Sequence, residues 1–470
     1  MKEFIGNEYL LNSPLANRLY HDFAKELPII DYHCHLDAMD IANDKKYDNP
    51  AEIMLGGDHY KWRLMRATGI DESYITGGRS GKEKFRAFAK ALELAPGHAV
   101  YNWTHMELAT YFGYKGNLNA DTADEVWDIA CDKLRNGLSV QKIIVDSNVG
   151  VICTTDDPAD DLSGHLKCAE NSSIGAKILP TFRPDKAVNI TDEGFAEYVS
   201  KLSEMACEAI EELQGMKKAL KNRFDYFIGH GCKIADHGVD KMVYAQCSED
   251  EADMIFKKAL EGNKVTEAEK NKYMFHMLCF FAEMYSDKDV IMQIHYGAMR
   301  NLNSIKLSEM GPDTGYDSIG DTSCGYGLAK FLDFMESKEM LPKVIVYSLN
   351  PVDNALIDTI AGSFSEAGIK GKVQHGAAWW FNDTFPGIKA HLDTYASLTP
   401  VGTFLGMLTD SRCFLSFSRH DYFRRIFCNY IADQVNEGAF PDDERLLKKI
   451  VQNVSYYNAK EYFGFQGEKL

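Results

Sequence analysis

The chain has 470 residues and a formal net charge of −18, which argues against a general nucleic-acid binder because such a protein needs a basic surface. Its hydrophobic content of 45% and charged content of 26% are typical of a soluble globular protein. No apolar run reaches the ~20 residues of a membrane span, and the N-terminus shows no uninterrupted hydrophobic signal sequence. We therefore expect a cytoplasmic protein with no membrane partner. The eleven cysteines are scattered and form no C-x-x-C motif, which indicates reduced thiols.

The first predicted strand is an apolar run that begins at Ile29 and ends in His33, Cys34 and His35. Side chains alternate along a strand, so His33 and His35 share one face and Cys34 points to the other. Two imidazoles at a strand end suit a divalent metal ion. A His-x-His pair also occurs by chance, but the apolar run before it and the polar residues at later strand ends favour a metal site.

The stretch 36–148 is too long for a single crossover between two strands. It contains helix-like segments at 83–94 and 122–136, and we interpret it as a helical insertion after the first strand that is able to cover a site. Within it, a glycine-turned polar and aromatic segment could bring His59 and Tyr60 over that site.

Seven further β-like runs follow, and most of them end in polar residues. They span residues 149–155, 176–182, 226–229, 290–295, 343–347, 372–375 and 403–408. Helical patterns lie between many of them, at 192–221, 266–286, 324–337 and 352–367. This alternation predicts parallel β/α units, and eight units predict a closed (β/α)8 barrel of the TIM type with its chemistry at the carboxyl ends of the strands. An open doubly wound sheet is the alternative, and the absence of a linker sequence favours one elaborated domain over residues 1–470.

Polar candidates follow three of these runs. Asp410 comes after the last run, where it could complete a metal site or act on a substrate, and His295 is a candidate third ligand or a partner of the ligands. Asp236 follows the run 226–229 and could be a base, a substrate binder or an arginine partner. An aspartate in such a place is more often a turn or cap residue, but the His-x-His pair favours the functional interpretation.

Three arginines, Arg183, Arg300 and Arg412, follow three different runs. Guanidinium groups match carboxylates in a bidentate geometry, so in an acidic protein these residues indicate a small anionic substrate. The aromatic cluster at Trp379 could pack on a sugar ring, although core packing is the more common role of such residues.

Taken together, these residues resemble the uronate isomerases of the amidohydrolase superfamily, and the resemblance covers nearly the whole chain. It rests on DYHCHLD at 31–37, GDHYKWRLMR at 57–66, TFRPD at 181–185, ADHG at 235–238, HYGAMR at 295–300, WWFND at 379–383 and LTDSR at 408–412. The resemblance implies a (β/α)8 barrel of the metal-dependent hydrolase type. It also implies the interconversion of D-glucuronate with D-fructuronate, and of D-galacturonate with D-tagaturonate, in the hexuronate catabolism of a bacterial cytoplasm.

The resemblance further implies a metal cofactor and a set of site residues. It implies zinc held by His33, His35 and Asp410, with His295 close by. The residues that it places around the substrate are His59, Tyr60, Arg183, Asp236, Arg300, Trp379 and Arg412. Many amidohydrolases bridge two metal ions with a lysine; Lys233 is out of phase with Asp236, so we expect one divalent ion.

Aldose–ketose isomerisation by proton transfer passes through a cis-enediol and needs a base, charge stabilisation at oxygen and a grip on the substrate. We expect arginines led by Arg183 to hold the C6 carboxylate and Arg412 to stabilise the developing oxyanion. Asp410 and Tyr60 are competing candidates for the proton-transfer group, and His59 is a further catalytic candidate.

Two alternatives to an isomerase stay open at this point. One is a metal-dependent hydrolase of the same superfamily that acts on an amide or an ester, with the metal activating water. The other is a non-catalytic protein that binds a sugar acid. The arginine set argues against the first, and the intact metal motif argues against the second. For a cytosolic enzyme we expect a homo-oligomer.

Overall fold

A computed structural model describes residues 3–321 and 324–465 of the chain. The strands in these residues are β1 (Ile29–Asp31), β2 (Val149–Cys153), β3 (Lys177–Leu179), β4 (Ile234–Gly238), β5 (Ile291–Tyr296), β6 (Ala298–Met299), β7 (Ser318–Ile319), β8 (Val344–Ser348) and β9 (Val373–His375). β6 and β7 form a small two-stranded antiparallel sheet, and the other strands pair in parallel.

Helices account for most of the remaining chain. The α-helices of the described residues are α1 (Pro14–Arg18), α2 (Ala38–Ala42), α3 (Pro50–Leu55), α4 (His59–Ala67), α5 (Gly81–Leu92), α6 (Ala99–Glu107), α7 (Ala123–Arg135), α8 (Val140–Asp146), α9 (Ser163–Glu170), α10 (Asp185–Val188), α11 (Phe195–Ala206), α12 (Leu213–Gly229), α13 (Glu249–Leu260), α14 (Glu267–Asp287), α15 (Ser304–Met310), α16 (Gly325–Glu336), α17 (Asn354–Ser363), α18 (Phe385–Leu398), α19 (Ser418–Asn436), α20 (Glu444–Gln452) and α21 (Asn458–Tyr462). In this part of the chain, no helix combines the length and the apolar character needed to cross a lipid bilayer.

The parallel strands follow one another in chain order. The sheet β1-β2-β3 and the sheet β4-β5-β8-β9 are linked by Phe182, whose N–H donates to the Ile234 carbonyl at 3.1 Å and whose carbonyl accepts from the Asp236 N–H at 3.0 Å. Every residue of β2, β5 and β8 is buried, which is typical of parallel strands covered on both faces. The fold is therefore the mixed α/β class with parallel sheets that the sequence predicts.

The last predicted strand, 403–408, is not a regular strand in the structure. A short 3₁₀ helix ends at Thr403, and Gly406 has a φ of +78° with its Cα so close to the Val454 carbonyl that a Cβ atom would lie 2.2 Å from the oxygen. The segment nevertheless runs beside the end of β1. The Asp410 N–H donates to the His33 carbonyl at 3.1 Å, so the segment that corresponds to the last predicted strand lies next to the residues that follow β1.

The prediction of a strand at 226–229 was wrong, because these residues form the last turn of α12. Leu220, Phe224 and Phe227 are spaced by four and three residues and are buried, so the apolar run completes one face of a helix. The strand in this region is β4. Asp236 lies within it, whereas the prediction placed Asp236 after the end of a strand.

The long helix predicted at 192–221 is two helices, α11 and α12, separated at Cys207, whose φ of +50° is incompatible with a continuing helix. Five other predicted helices are confirmed with shifted ends. They are 83–94 (α5), 122–136 (α7), 266–286 (α14), 324–337 (α16) and 352–367 (α17).

A buried ion pair fastens α4 to α6. The Lys61 ammonium lies 2.8 Å from the Glu107 carboxylate and 3.4 Å from the Asp58 carboxylate, and the Lys61 side chain is 0% exposed. Removing a charged group from water costs several kcal/mol unless its partners stay in place. The pair therefore fixes the orientation of α4 relative to the helices around it.

We expect Lys61→Met to lower the free energy of unfolding by about 3–5 kcal/mol, because the Glu107 carboxylate is then buried without its cation. The double variant Lys61→Met/Glu107→Leu loses less, since no charge is left unpaired. Urea unfolding followed by circular dichroism measures both. Lys82→Met, which removes an exposed ion pair with Asp124, is the control and changes stability by less than about 1 kcal/mol. If Lys61→Met lowered the free energy of unfolding by no more than the Lys82→Met control does, the prediction would be contradicted.

Candidate metal centre and cleft

A cleft of about 930 Å³ opens at the carboxyl ends of the parallel strands. All but one of the residues predicted for the site line this cleft. They are His33, His35, His59, Tyr60, Arg183, His295, Arg300, Trp379, Asp410 and Arg412. The exception is Asp236, which lies behind the cleft wall and is 0% exposed.

His33, His35 and Asp410 converge on one point. The Nε2 atoms of His33 and His35 lie 3.2 and 3.0 Å from the same carboxylate oxygen, Oδ1 of Asp410. The two imidazoles share a face because they are two residues apart, and Asp410 reaches them from the last segment with a left-handed φ of 45°. Two imidazoles and a carboxylate form a donor set that suits a divalent ion such as zinc.

A second group of possible ligands adjoins the first and consists of His33, Asp236 and His295. Among the described residues, Nδ1 of His33 and Nε2 of His295 are buried and have no hydrogen-bond partner. A buried polar atom without a partner costs free energy, so atoms of a bound ion or substrate would stabilise this arrangement. The residues present therefore fit a metal-dependent site.

The Asp410 carboxylate accepts from both sides of the cleft. The indole N–H groups of Trp379 and Trp380 donate to Oδ2 at 2.7 and 2.9 Å, while the imidazoles of His33 and His35 contact Oδ1. Burial would raise the pKa of Asp410, but the hydrogen bonds with His33 and His35 hold it well below its usual value. Asp410 is thus an ionised carboxylate in a fixed orientation.

His59 and Tyr60 enter the cleft from the first turn of α4. Asp58 caps this helix, and its carboxylate accepts from the N–H groups of Tyr60 and Lys61 at 3.0 and 3.1 Å. Burial and the Asp410 charge raise the pKa of Tyr60 well above its usual value, whereas burial lowers the pKa of His59. At neutral pH the phenol is protonated and the imidazole is neutral.

Asp236 orients two residues of the cleft wall. Its carboxylate accepts from His295 Nδ1 at 2.7 Å and pairs with Nη1 of Arg183 at 3.0 Å. The Nε of Arg183 donates to the Asp185 carboxylate at 2.7 Å. The His295 ring stacks on Tyr347 with centroids 4.2 Å apart. The charge of Arg183 is therefore matched by two carboxylates, and Nε2 of His295 is left free to contact a ligand.

Arg300 and Arg412 share a single carboxylate, that of Asp313. Nη2 of Arg412 donates to Asp313 Oδ2 at 2.8 Å, and Nη1 of Arg300 lies 3.8 Å from Oδ1. The Arg300 guanidinium also packs over the Trp380 ring at 4.9 Å. Because two cations face one anion, this part of the cleft carries a net positive charge and can attract a carboxylate.

Sequence reasoning missed several residues of the cleft. Asp313 lies in a glycine-flanked loop that looks like an ordinary turn, and Asp185 belongs to the TFRPD motif but had no predicted role; Trp380, by contrast, belongs to the aromatic cluster that the sequence indicates. Asp156 follows β2, where burial raises its pKa to about 7. The polar end of the run 149–155 was a signal that could have identified Asp156.

A family model of glucuronate isomerase matches residues 1–463. The uronate isomerase of Caldicellulosiruptor saccharolyticus is 49% identical over 465 residues, which cover 99% of this chain and 100% of that protein. The crystal structure of the uronate isomerase from Thermotoga maritima has a TM-score of 0.93 at 37% identity and covers 98% of this chain and 100% of its own. That of the glucuronate isomerase from Caulobacter crescentus has a TM-score of 0.92 at 23% identity over 99% and 98% of the two chains, which supports the fold.

We expect His35→Gln and Asp410→Asn to lose bound zinc, because each variant removes one of the converging donors. Protein loaded with zinc and then desalted is analysed for metal content by mass spectrometry, with circular dichroism as the check on folding. His295→Gln tests whether His295 is a ligand in addition. His276→Gln, which removes a histidine paired with Glu249 outside the cleft, is the control. One equivalent of zinc retained by both His35→Gln and Asp410→Asn would refute this ligand set.

Proposed function

Because the chain belongs to the glucuronate isomerase family, we propose that its cleft interconverts D-glucuronate with D-fructuronate, and D-galacturonate with D-tagaturonate, through a cis-enediol. Aldose–ketose isomerisation of hexuronates is the activity that the family and the full-length relatives support. The observation that carries the proposal is the meeting of His33, His35 and Asp410 beside partly exposed arginines. The comparisons favour this enzyme over a superfamily hydrolase and over a non-catalytic binding protein.

We propose that His33, His35 and Asp410 hold one divalent ion, zinc, with His295 beside it. A zinc ion bound there supplies Lewis acidity toward an oxygen of the substrate. The buried Nε2 of His295, which has no hydrogen-bond partner among the described residues, supports a role for this residue next to the reacting oxygens. Its other ring nitrogen is committed to Asp236 at 2.7 Å, which fixes the direction of the free one.

The protonation states favour different roles for Asp410 and Tyr60. Asp410 is ionised because His33 and His35 lower its pKa, so it can accept the proton from one carbon and return it to the other. Burial keeps the Tyr60 phenol protonated, so it can donate a proton to a substrate oxygen but is a poor base. We therefore assign proton transfer between C1 and C2 to Asp410, with Tyr60 as the donor and the neutral His59 beside it.

The distribution of charge favours Arg300 and Arg412 as the group that holds the C6 carboxylate. Arg183, which we expected to lead this group, is already paired with Asp185 and Asp236. Arg300 and Arg412 share one aspartate, and their side chains are 35% and 44% exposed, compared with 21% for Arg183. In this arrangement Arg183 contacts the sugar between the carboxylate and the reacting carbons, and Arg412 no longer has to serve the oxyanion.

We propose that the parallel strands close into a (β/α)8 barrel within one domain over residues 1–470. The hydrogen bonds that bring residues 409–411 beside the end of β1 support closure. The seven helices α2 to α8 support an insertion at 36–148, and α4 within it carries His59 and Tyr60 into the cleft.

We further propose that the protein works in a bacterial cytoplasm as a homo-oligomer. The bacterial sources of its relatives and its net charge of −18 support this setting, in which the partner is a small sugar acid and not a nucleic acid or a membrane. Most soluble oligomers are symmetric assemblies of identical chains, so a homo-oligomer is the assembly that we expect.

We expect Asp410→Asn to lower kcat for D-glucuronate by about three orders of magnitude or more, with a smaller change in KM, because an amide cannot accept the proton and also holds the zinc less well. Ketose formation and deuterium incorporation are followed by NMR in D2O at saturating zinc. Tyr60→Phe is expected to lose about 10²-fold in kcat, as is typical of a proton donor. Turnover of Asp410→Asn near that of the unchanged enzyme would remove Asp410 from the mechanism.

We expect Arg300→Met and Arg412→Met each to raise KM for D-glucuronate by about tenfold or more, because each removes a charged contact with the C6 carboxylate. Steady-state kinetics over a wide range of substrate concentration measure the change. Arg86→Met, which removes an exposed arginine of α5 that pairs with Asp124, is the control and leaves KM unchanged. An unchanged KM in both cleft variants would show that the carboxylate is held elsewhere.

A further inference from the structure

Asp313 stands at the place where the cleft carries most of its unpaired positive charge. It is part of the loop between β6 and β7, it lines the cleft, and its two carboxylate oxygens face Arg412 and Arg300 separately. Burial would raise the pKa of Asp313, but its hydrogen bond to Arg412 and the nearby charges hold it below the usual value. An ionised carboxylate of the chain therefore already lies between the two arginines.

The loop that carries Asp313 is fixed to α4 by the next residues along the chain. Nη1 of Arg63 donates to the carbonyls of Gly315 and Asp317 at 3.3 and 2.6 Å, and Arg66 donates to the Thr314 carbonyl. The Arg66 guanidinium also packs over the Tyr316 ring at 4.8 Å. The loop is thus anchored on the helix that presents His59 and Tyr60.

Asp313 itself has an unusual backbone conformation. Its φ is +58°, a left-handed value that costs a residue with a Cβ roughly 1 kcal/mol and that Asp and Asn tolerate better than most. Gly311 and Gly315, at φ values of +80° and +97°, allow the chain to turn on either side of it. Such strain persists where the surroundings hold a side chain in place, here against the two guanidinium groups.

We propose that Asp313 is an internal counter-ion that occupies the carboxylate site of the substrate-free enzyme and is displaced from Arg300 and Arg412 when a sugar acid binds. The inference rests on the proposed function, since it takes these two arginines as the site of the C6 carboxylate. Two carboxylates cannot both pair closely with the same two guanidinium groups without strong repulsion. Asp313 therefore competes with the substrate carboxylate for the two arginines and lowers the affinity of the site for anions. It also disfavours uncharged sugars, because they have no carboxylate to pair with the arginines when Asp313 is displaced.

A purely structural Asp313 predicts the opposite sign. If Asp313 served only to position Arg300 and Arg412, its removal would misplace both arginines and weaken substrate binding. If Asp313 competes with the substrate, its removal strengthens binding. The sign of the change in affinity therefore separates the two roles.

The test is Asp313→Asn in the full-length, zinc-loaded enzyme, with Asp313→Gly as the second variant because both residues adopt a positive φ readily. We expect KM for D-glucuronate to fall about fivefold and competitive inhibition by inorganic sulfate to strengthen by a similar factor. Glu309→Gln removes one negative charge from the exposed α15 of the same loop and is the matched control, with KM and sulfate inhibition unchanged. A KM that rises or stays constant in both Asp313 variants, or an equal fall in Glu309→Gln, overturns the proposal.

The Arg412→Met variant separates this proposal from the proposed function. If Arg412→Met and Arg300→Met raise KM while Asp313→Asn fails to lower it, the carboxylate site stands and the counter-ion role is refuted. If the arginine variants leave KM unchanged, the assignment of the carboxylate site fails and the counter-ion role fails with it. In the double variant Asp313→Asn/Arg412→Met, the gain in sulfate affinity is lost if Asp313 acts through Arg412.

Discussion

The Asp410 carboxylate is the contact on which the rest of the structure depends. It joins the end of β1, through His33 and His35, to the aromatic segment after β9, through Trp379 and Trp380. An ionised carboxylate in such a buried place would cost several kcal/mol without these donors, so the donors and the carboxylate fix one another. Residues 404–410 contain no regular strand that could pair with β1, so the side chains of the candidate metal centre contribute to holding this segment beside the end of β1.

The strands were predictable from the sequence where apolar residues are nearly continuous, as in β2 and β8, because both faces of those strands are buried. β4 was missed since it contains Asp236 and His237, polar residues that are buried only because Arg183, His295 and Tyr285 bind them from other elements. The pattern of apolar and polar residues along one segment does not show which residues from distant parts of the chain will contact it. The apolar run at 226–229 was wrongly predicted to be a strand. It is apolar because helix α12, which contains it, packs against the core.

The same distinction applies to the site. The alternation of a strand was enough to predict that His33 and His35 share one face, and the position of a polar residue directly after an apolar run was enough to select Asp410 as a candidate. The partners of the arginines were not predictable in this way. Asp313 and Arg412 are 99 residues apart, and one of the two carboxylates that pair with Arg183 is that of Asp236 on β4. The sequence indicated an anionic substrate correctly for this family, but the assignment of individual arginines required the fold.

The distribution of charge along the cleft favours one direction for a bound sugar acid. At the inner end, Arg183 is matched by Asp185 and Asp236, so the region around the imidazoles has little excess positive charge. At the outer end, Arg300 and Arg412 face Asp313 alone. A chain with a net charge of −18 repels anions at long range, so capture of a uronate requires such a local excess of cations, which acts within about a Debye length of ~8–10 Å. In the proposed arrangement the C6 carboxylate binds the outer arginines, and the aldehyde end lies toward Asp410, the carboxylate to which we assign proton transfer between neighbouring carbons.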